Sequence, residues 1–154
     1  MRLAGTILCL LIITPACSQA GGRGLVPEIL GVRLGAGRDA AHARLGEIGR
    51  LEREERKQQE VWALRDHPSY SHLIVSYDKE YKGVRFVTAV AKEGGQPVRY
   101  GDVIDTGKAR RDAAGDTVTY TLEVPAEGGL PAYVAKAIGS GPEYLKYYSV
   151  EKVD

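Results

Sequence analysis

The feature that most constrains the fold of this chain is a two-residue alternation of side chains in three separate segments, the first two with apolar groups on both faces and the third with one polar face. Over 71–77, Leu73, Val75 and Tyr77 fall on one face, and alternation resumes over 84–91 after a turn. Over 117–124, four apolar residues alternate with threonines and Glu123. Successive side chains of a β-strand point to opposite faces of its sheet. The pattern therefore predicts antiparallel strands, the first two joined as a hairpin.

Other segments extend this meander less clearly. Apolar residues over 60–64, 131–138 and 144–152 predict three more strands, of which we interpret the last as a sheet edge. The charged segment 51–59 fits a helix or the start of an edge strand, and its periodicity does not decide between them. The segment 98–116 has no period, so we expect a long connection with at most a turn of helix. We find no internal repeat.

A short helix is predicted over 38–45, between Gly35-Ala36-Gly37 and Gly46. Gly46 is expected to close it in the left-handed conformation that glycine tolerates. Asp39 would lie in the first turn, where the helix dipole favours a negative charge. One helix before about six strands predicts a single α+β domain over 31–154, with a mainly antiparallel sheet.

The first 20 residues have the layout of a secretory signal peptide, with an apolar run over 3–13 that is too short to span a bilayer. Two cleavage sites remain open. Small residues at 18–20 would release a soluble protein starting near Gly21, whereas T-P-A-C resembles a bacterial lipobox that would leave a lipidated Cys17 at the N-terminus. Residues 21–30 then form a tether and lead-in. We expect export, with attachment to the outer membrane facing the periplasm if Cys17 is lipidated, and a periplasmic or secreted protein otherwise.

Cysteine content and charge argue against some kinds of site and partner. Both cysteines, Cys9 and Cys17, lie in or beside the signal, so we expect neither a disulfide nor a thiolate site in the mature domain. Removal of Arg2 with the signal leaves 20 basic residues against 20 acidic residues. Nucleic-acid binding relies on an excess of positive charge, so we expect no nucleic-acid partner.

One glycine motif and one histidine-containing loop are candidates for chemical sites. The glycine motif over 35–40 has the G-x-G-x-x-A spacing of a dinucleotide-binding turn, but it lacks the buried strand and the following parallel strand that such a turn requires. We interpret it as structural and expect no cofactor. Asp66, His67 and His72 could form a metal or acid–base site, and the alternative is a loop with two solvated histidines.

The C-terminal segment carries three tyrosines that are candidates for binding a partner. Tyr144, Tyr147 and Tyr148 combine an apolar ring with a polar hydroxyl, which suits protein interfaces. A strand at a sheet edge could also pair with a partner's strand. The alternative is that these rings only cover the side of the sheet.

The segment L-G-A-G-R-D-A-A-H-A-R-L-G over 34–46 resembles the opening of the SmpA/OmlA, or BamE-like, envelope lipoprotein domain. Val61-Trp62-Ala63-Leu64 looks like that family's aromatic first strand, and 73–84 is similar to its hairpin. The resemblance covers 31–91 and implies an outer-membrane lipoprotein that acts as a scaffold for another envelope protein.

The related β-lactamase-inhibitor-like fold shares the helix-then-sheet plan and suggests a secreted inhibitor as an alternative. We expect a non-catalytic binding protein, not an enzyme.

Overall fold

The computed structural model describes residues 27–55, 58–80 and 82–153. The predicted signal peptide, the lipidation candidate Cys17 and the tether as far as residue 26 lie outside the described residues. The elements in chain order are β1 Glu28–Ile29, β2 Val32–Arg33, α1 Arg38–Ile48, β3 Gly49–Glu55, β4 Gln59–Leu64, β5 Tyr70–Tyr77, β6 Val84–Ala91, α2 Tyr100–Val103, β7 Arg110–Ala114, β8 Thr117–Val124, β9 Tyr133–Ser140 and β10 Tyr147–Lys152. None of the helices among these residues is long and apolar enough to cross a membrane.

The predicted α+β class, with one helix and about six strands, is wrong. The described residues form a mostly β structure, in which eight strands make one antiparallel sheet, two make a small hairpin, and both helices are short. The two strands of the large sheet beyond the six predicted ones are its edges, β3 and β7, whose residues are almost all exposed and largely charged. An edge strand that buries neither face has no apolar period, so periodicity leaves 51–59 undecided between a helix and an edge strand and predicts no strand within 98–116.

The large sheet is built from two four-stranded meanders. Its strand order is β3-β4-β5-β6-β10-β9-β8-β7, so a helix and four strands occur twice, and the two sets meet at their last strands. At this junction Val87 lies opposite Val150, and both are fully buried. The prediction that the C-terminal strand is an edge is therefore wrong, because β10 lies in the centre of the sheet. The topology repeats although the sequence shows no repeat.

The core lies on one face of the sheet. Pairing register aligns one row of inward side chains from strand to strand across six strands: Trp62, Leu73, Ala89, Tyr148, Ala137 and Tyr120. Helix α1 and the β1–β2 hairpin pack over the first meander, and Tyr100 of α2 stacks on Tyr120 of the second, with ring centroids 4.9 Å apart. The predicted inward face of 71–77 is confirmed, since Leu73, Val75 and Tyr77 are all buried.

Helix α1 runs further than its glycine boundaries predicted. Gly35 adopts a left-handed backbone (φ 79°), but Gly46 does not, and the helix continues to Ile48. Gly49 ends it with an N–H bond to the Leu45 carbonyl. A Cβ atom at Gly49 would lie 2.6 Å from the carbonyl oxygen of Ala63, so this glycine lets the helix end pass directly into an edge strand beside β4.

Candidate functional site

The face of the sheet opposite the core is covered by no element within the described residues. Both helices and the small hairpin contribute to the core cluster, and none of the side chains on the opposite face belongs to it. Val61, although buried, is outside that cluster because it points to this opposite side between its strand neighbours. We call this surface the open face.

Register gives the open face a regular layout over the four strands β6, β10, β9 and β8. Three side chains from each strand form three rows across it. The first row is Val90, Tyr147, Ile138 and Thr119; the second is Thr88, Ser149, Lys136 and Thr121; the third is Phe86, Glu151, Val134 and Glu123. A mainly apolar row therefore lies beside a polar middle row, and the third row combines two apolar side chains with two glutamates.

The three candidate tyrosines occupy different environments. Tyr147 stands on the open face with 45% of its surface exposed, and Tyr144, in the loop before β10, is 39% exposed. Tyr148 points to the opposite side and packs against the core. Its burial raises the pKa of its hydroxyl to about 12. Of the two tyrosines on β10, only Tyr147 is thus placed to meet a partner at the open face.

A second cluster, which sequence reasoning missed, surrounds the buried carboxylate of Glu60 where α1 packs on the sheet. Glu60 is only 1% exposed. Its oxygens accept hydrogen bonds from Arg38 (Nη2, 2.8 Å), Trp62 (Nε1, 3.0 Å) and Tyr77 (Oη, 3.1 Å). Nε2 of His42 lies 2.9 Å from both oxygens. The contacts join α1 to both β4 and β5.

The electrostatics of this cluster are those of an ionised carboxylate. Burial alone would raise the pKa of Glu60, but hydrogen bonds from Arg38, Trp62 and His42 outweigh burial and hold that pKa below its usual value. The hydrogen bond to Glu60 in turn raises the pKa of Arg38. Burial and the neighbouring Glu60 charge raise the pKa of Tyr77, so its hydroxyl stays protonated and donates.

Sequence spacing contained a signal for this cluster. Arg38 and His42 are four residues apart, which places them on one face of a helix. Glu60 and Trp62 are two residues apart, which places both on one face of a strand. Apolar alternation alone assigns no role to a glutamate on the inward face, so the partners of Glu60 become evident only once α1 is packed on the sheet.

We interpret the Glu60 cluster as structural. A carboxylate-bound imidazole can transfer protons in an enzyme, but it needs a neighbouring space for a substrate. Two solvent-open grooves, of about 680 and 570 Å³, lie instead at the end of the sheet where β6 begins and β10 ends, and both are lined by Gly35 and Lys152. Neither groove is lined by Glu60 or by His42.

The three candidates Asp66, His67 and His72 have separate surroundings: Asp66 is exposed between β4 and β5, whereas His72 lies within β5. Nδ1 of His67 accepts hydrogen bonds from the backbone N–H groups of Ser69 and Tyr70. Burial, and to a smaller extent the positive charge of Lys92, lowers the pKa of His67. Nε2 of His72 lies 2.9 Å from a carboxylate oxygen of Glu52 on the edge strand. Over 27–55, 58–80 and 82–153, no three His, Cys, Asp or Glu side chains are grouped to hold a metal. Asp66, His67 and His72 therefore do not converge on one metal-binding position.

No family model, curated protein or solved structure matches this chain. Its function must accordingly be argued from its own geometry.

Proposed function

We propose that this chain is an exported, non-catalytic binding protein that docks another protein of the cell envelope on its open face. The observation that carries the proposal is the eight-stranded sheet with a core on one side only. Tyr147 stands exposed on the other side, at the start of the central strand β10 and between Val90 and Ile138. Exposed aromatic residues with apolar neighbours are the usual energetic centres of protein interfaces.

The size of the open face suits a protein partner. The eight strands hold 56 residues in all, and with about 4.8 Å between strands and about 3.3 Å per residue they give a face of about 890 Å². A specific protein interface buries about 800 Å² on each partner. The open face is therefore large enough for one such contact.

Export and the lipid anchor are part of the same proposal. The signal-like first 20 residues and the lipobox-like segment ending at Cys17 support attachment to the outer membrane, facing the periplasm, as in the BamE-like proteins that 31–91 resembles. Intact mass spectrometry of the mature protein tests this. We expect an acylated N-terminal Cys17; an unmodified N-terminus at Gly21 would refute the anchor, and a chain that retains Met1 would refute export.

Photocrosslinking in the cells that produce the protein tests the binding proposal. We expect the full chain with p-benzoylphenylalanine at position 147 to form one adduct of defined mass, whose second component is an exported protein. Position 130 is the control, because Leu130 is similarly exposed (36%) but lies in the loop between β8 and β9. Equal adduct yields at both positions, or no adduct at 147, would contradict the proposal.

A further inference from the structure

Lys136 stands in the middle row of the open face, on β9. It lies between Ser149 of β10 and Thr121 of β8, and its side chain is half-buried. No hydrogen bond or ion pair to another described residue is found for its ammonium group. A basic group is thus fixed near the centre of the candidate interface without an acidic partner of its own.

Two carboxylates flank Lys136 in the next row. Glu151 and Glu123 both lie opposite Val134, on either side of β9, and both are exposed. The three strands therefore present a negative, a positive and a negative group around Val134. The first row, with Tyr147 and Ile138, borders Lys136 on the other side.

The ammonium group of Lys136 affects the binding free energy most when a partner covers this surface. On an open surface a single exposed charge contributes little, because water and salt screen it. When a partner removes the water, an unpaired charge becomes costly and a matched opposite charge becomes favourable. Neither of the two grooves at the end of the sheet is lined by Lys136.

We propose that the partner is a protein that inserts a carboxylate onto Lys136, next to an apolar side chain on Tyr147, with basic groups of its own facing Glu123 and Glu151. This inference rests on the proposed function and specifies the chemistry of the partner's surface. The alternating charges select a partner with the opposite order of charges, since a like charge at any of the three positions is repelled.

The test measures the yield of the position-147 adduct in the full chain carrying one further substitution. Lys136→Glu is expected to lower that yield about tenfold, because it places like charges together at the covered centre. Lys136→Arg, which keeps the charge, is expected to retain the yield. Lys79→Glu is the matched control, since it makes the same charge change on an exposed turn between β5 and β6, off the open face.

Reciprocal charge reversal then identifies the partner's residue. Mass spectrometry of the adduct gives the crosslinked segment, and exchange of its acidic residue for lysine is expected to restore the yield with Lys136→Glu. Melting temperatures of the purified variants show whether each one folds.

Each outcome has a distinct meaning. If the adduct persists but Lys136→Glu and Lys79→Glu give equal yields, the Lys136 inference fails while the binding function stands. If the unsubstituted chain gives no adduct at 147, both fail. An adduct of two copies of this chain would overturn the inference in favour of a self-association face.

Discussion

At the scale of single residues, Glu60 decides how α1 is attached. The helix buries only Ala41 and Leu45, which is little apolar contact for eleven residues. Side-chain hydrogen bonds add to this packing, because Arg38 and His42 reach the buried carboxylate and Nε of Arg44 donates to the Leu30 carbonyl (2.8 Å). A charge can be buried in this way only when its hydrogen-bonding capacity is filled, and Glu60 meets that condition.

We predict that Glu60→Gln lowers the free energy of unfolding by about 2–3 kcal/mol, because it removes the buried charge that Arg38 and His42 require. Urea titration at neutral pH measures this change. Glu54→Gln is the control, because Glu54 is the exposed partner of Arg38 and should matter by less than about 0.5 kcal/mol. Equal losses from the two variants would contradict the role given to Glu60.

The same residue predicts an acid-dependent loss of stability. The pKa of Glu60 is lower in the folded protein than in the unfolded chain, where it is about 4.3. Its contribution is therefore complete above about pH 4.3 and is lost as the pH falls through the folded-state pKa. We expect the free energy of unfolding to decline less steeply in this range for Glu60→Gln than for the natural chain; parallel curves would refute the prediction.

At the scale of elements, close approach between segments depends on glycine at a few places. Gly139 on β9 faces the core, and a Cβ atom there would lie 2.6 Å from the hydroxyl oxygen of Tyr100 in α2 and would also collide with the backbone of Tyr144. The hydroxyl of Tyr100 bonds to the carbonyl of Gly141, 3.1 Å away. A side chain at 139 would therefore push α2 and the β9–β10 loop away from the sheet.

We predict that Gly139→Ala destabilises the protein by about 1–3 kcal/mol, the usual cost of overpacking a filled site. Thermal or urea unfolding measures it. The matched control is Gly46→Ala in α1, where a Cβ atom meets nothing within 4 Å. That substitution should stabilise the protein by up to about 1 kcal/mol, because alanine favours a helix more than glycine does. An unchanged free energy of unfolding for Gly139→Ala would contradict the prediction, because it would show that the β9–β10 loop shifts without cost.

At the scale of the whole molecule, the two meanders share one sheet and one core. The β6–β10 pairing joins them through Val87 and Val150, and the core cluster runs from Ile29 to Val150. Removing either meander would leave the last strand of the other, β6 or β10, unpaired at a new edge of the sheet. The two should therefore unfold together.

Trp62 provides the measurement, since it is the chain's single tryptophan and lies in the first meander. We predict that Gly139→Ala, in the second meander, lowers the unfolding midpoint seen by Trp62 fluorescence as much as the midpoint seen by far-ultraviolet circular dichroism. Separate transitions by the two probes would indicate two independent folding units.

The sequence by itself determined the strands that bury one face. β6 and β8 have the bounds that alternation predicted, and the inward side of β5 is correct, because a two-residue period records locally which side chains leave water. The tertiary structure alone decided that β3 and β7 are strands, that β10 is central, and that Glu60 is a buried charge. Each of these depends on pairing or docking between residues distant in sequence, which leaves no local period. The same long-range pairing placed Lys136 beside Tyr147 on the open face.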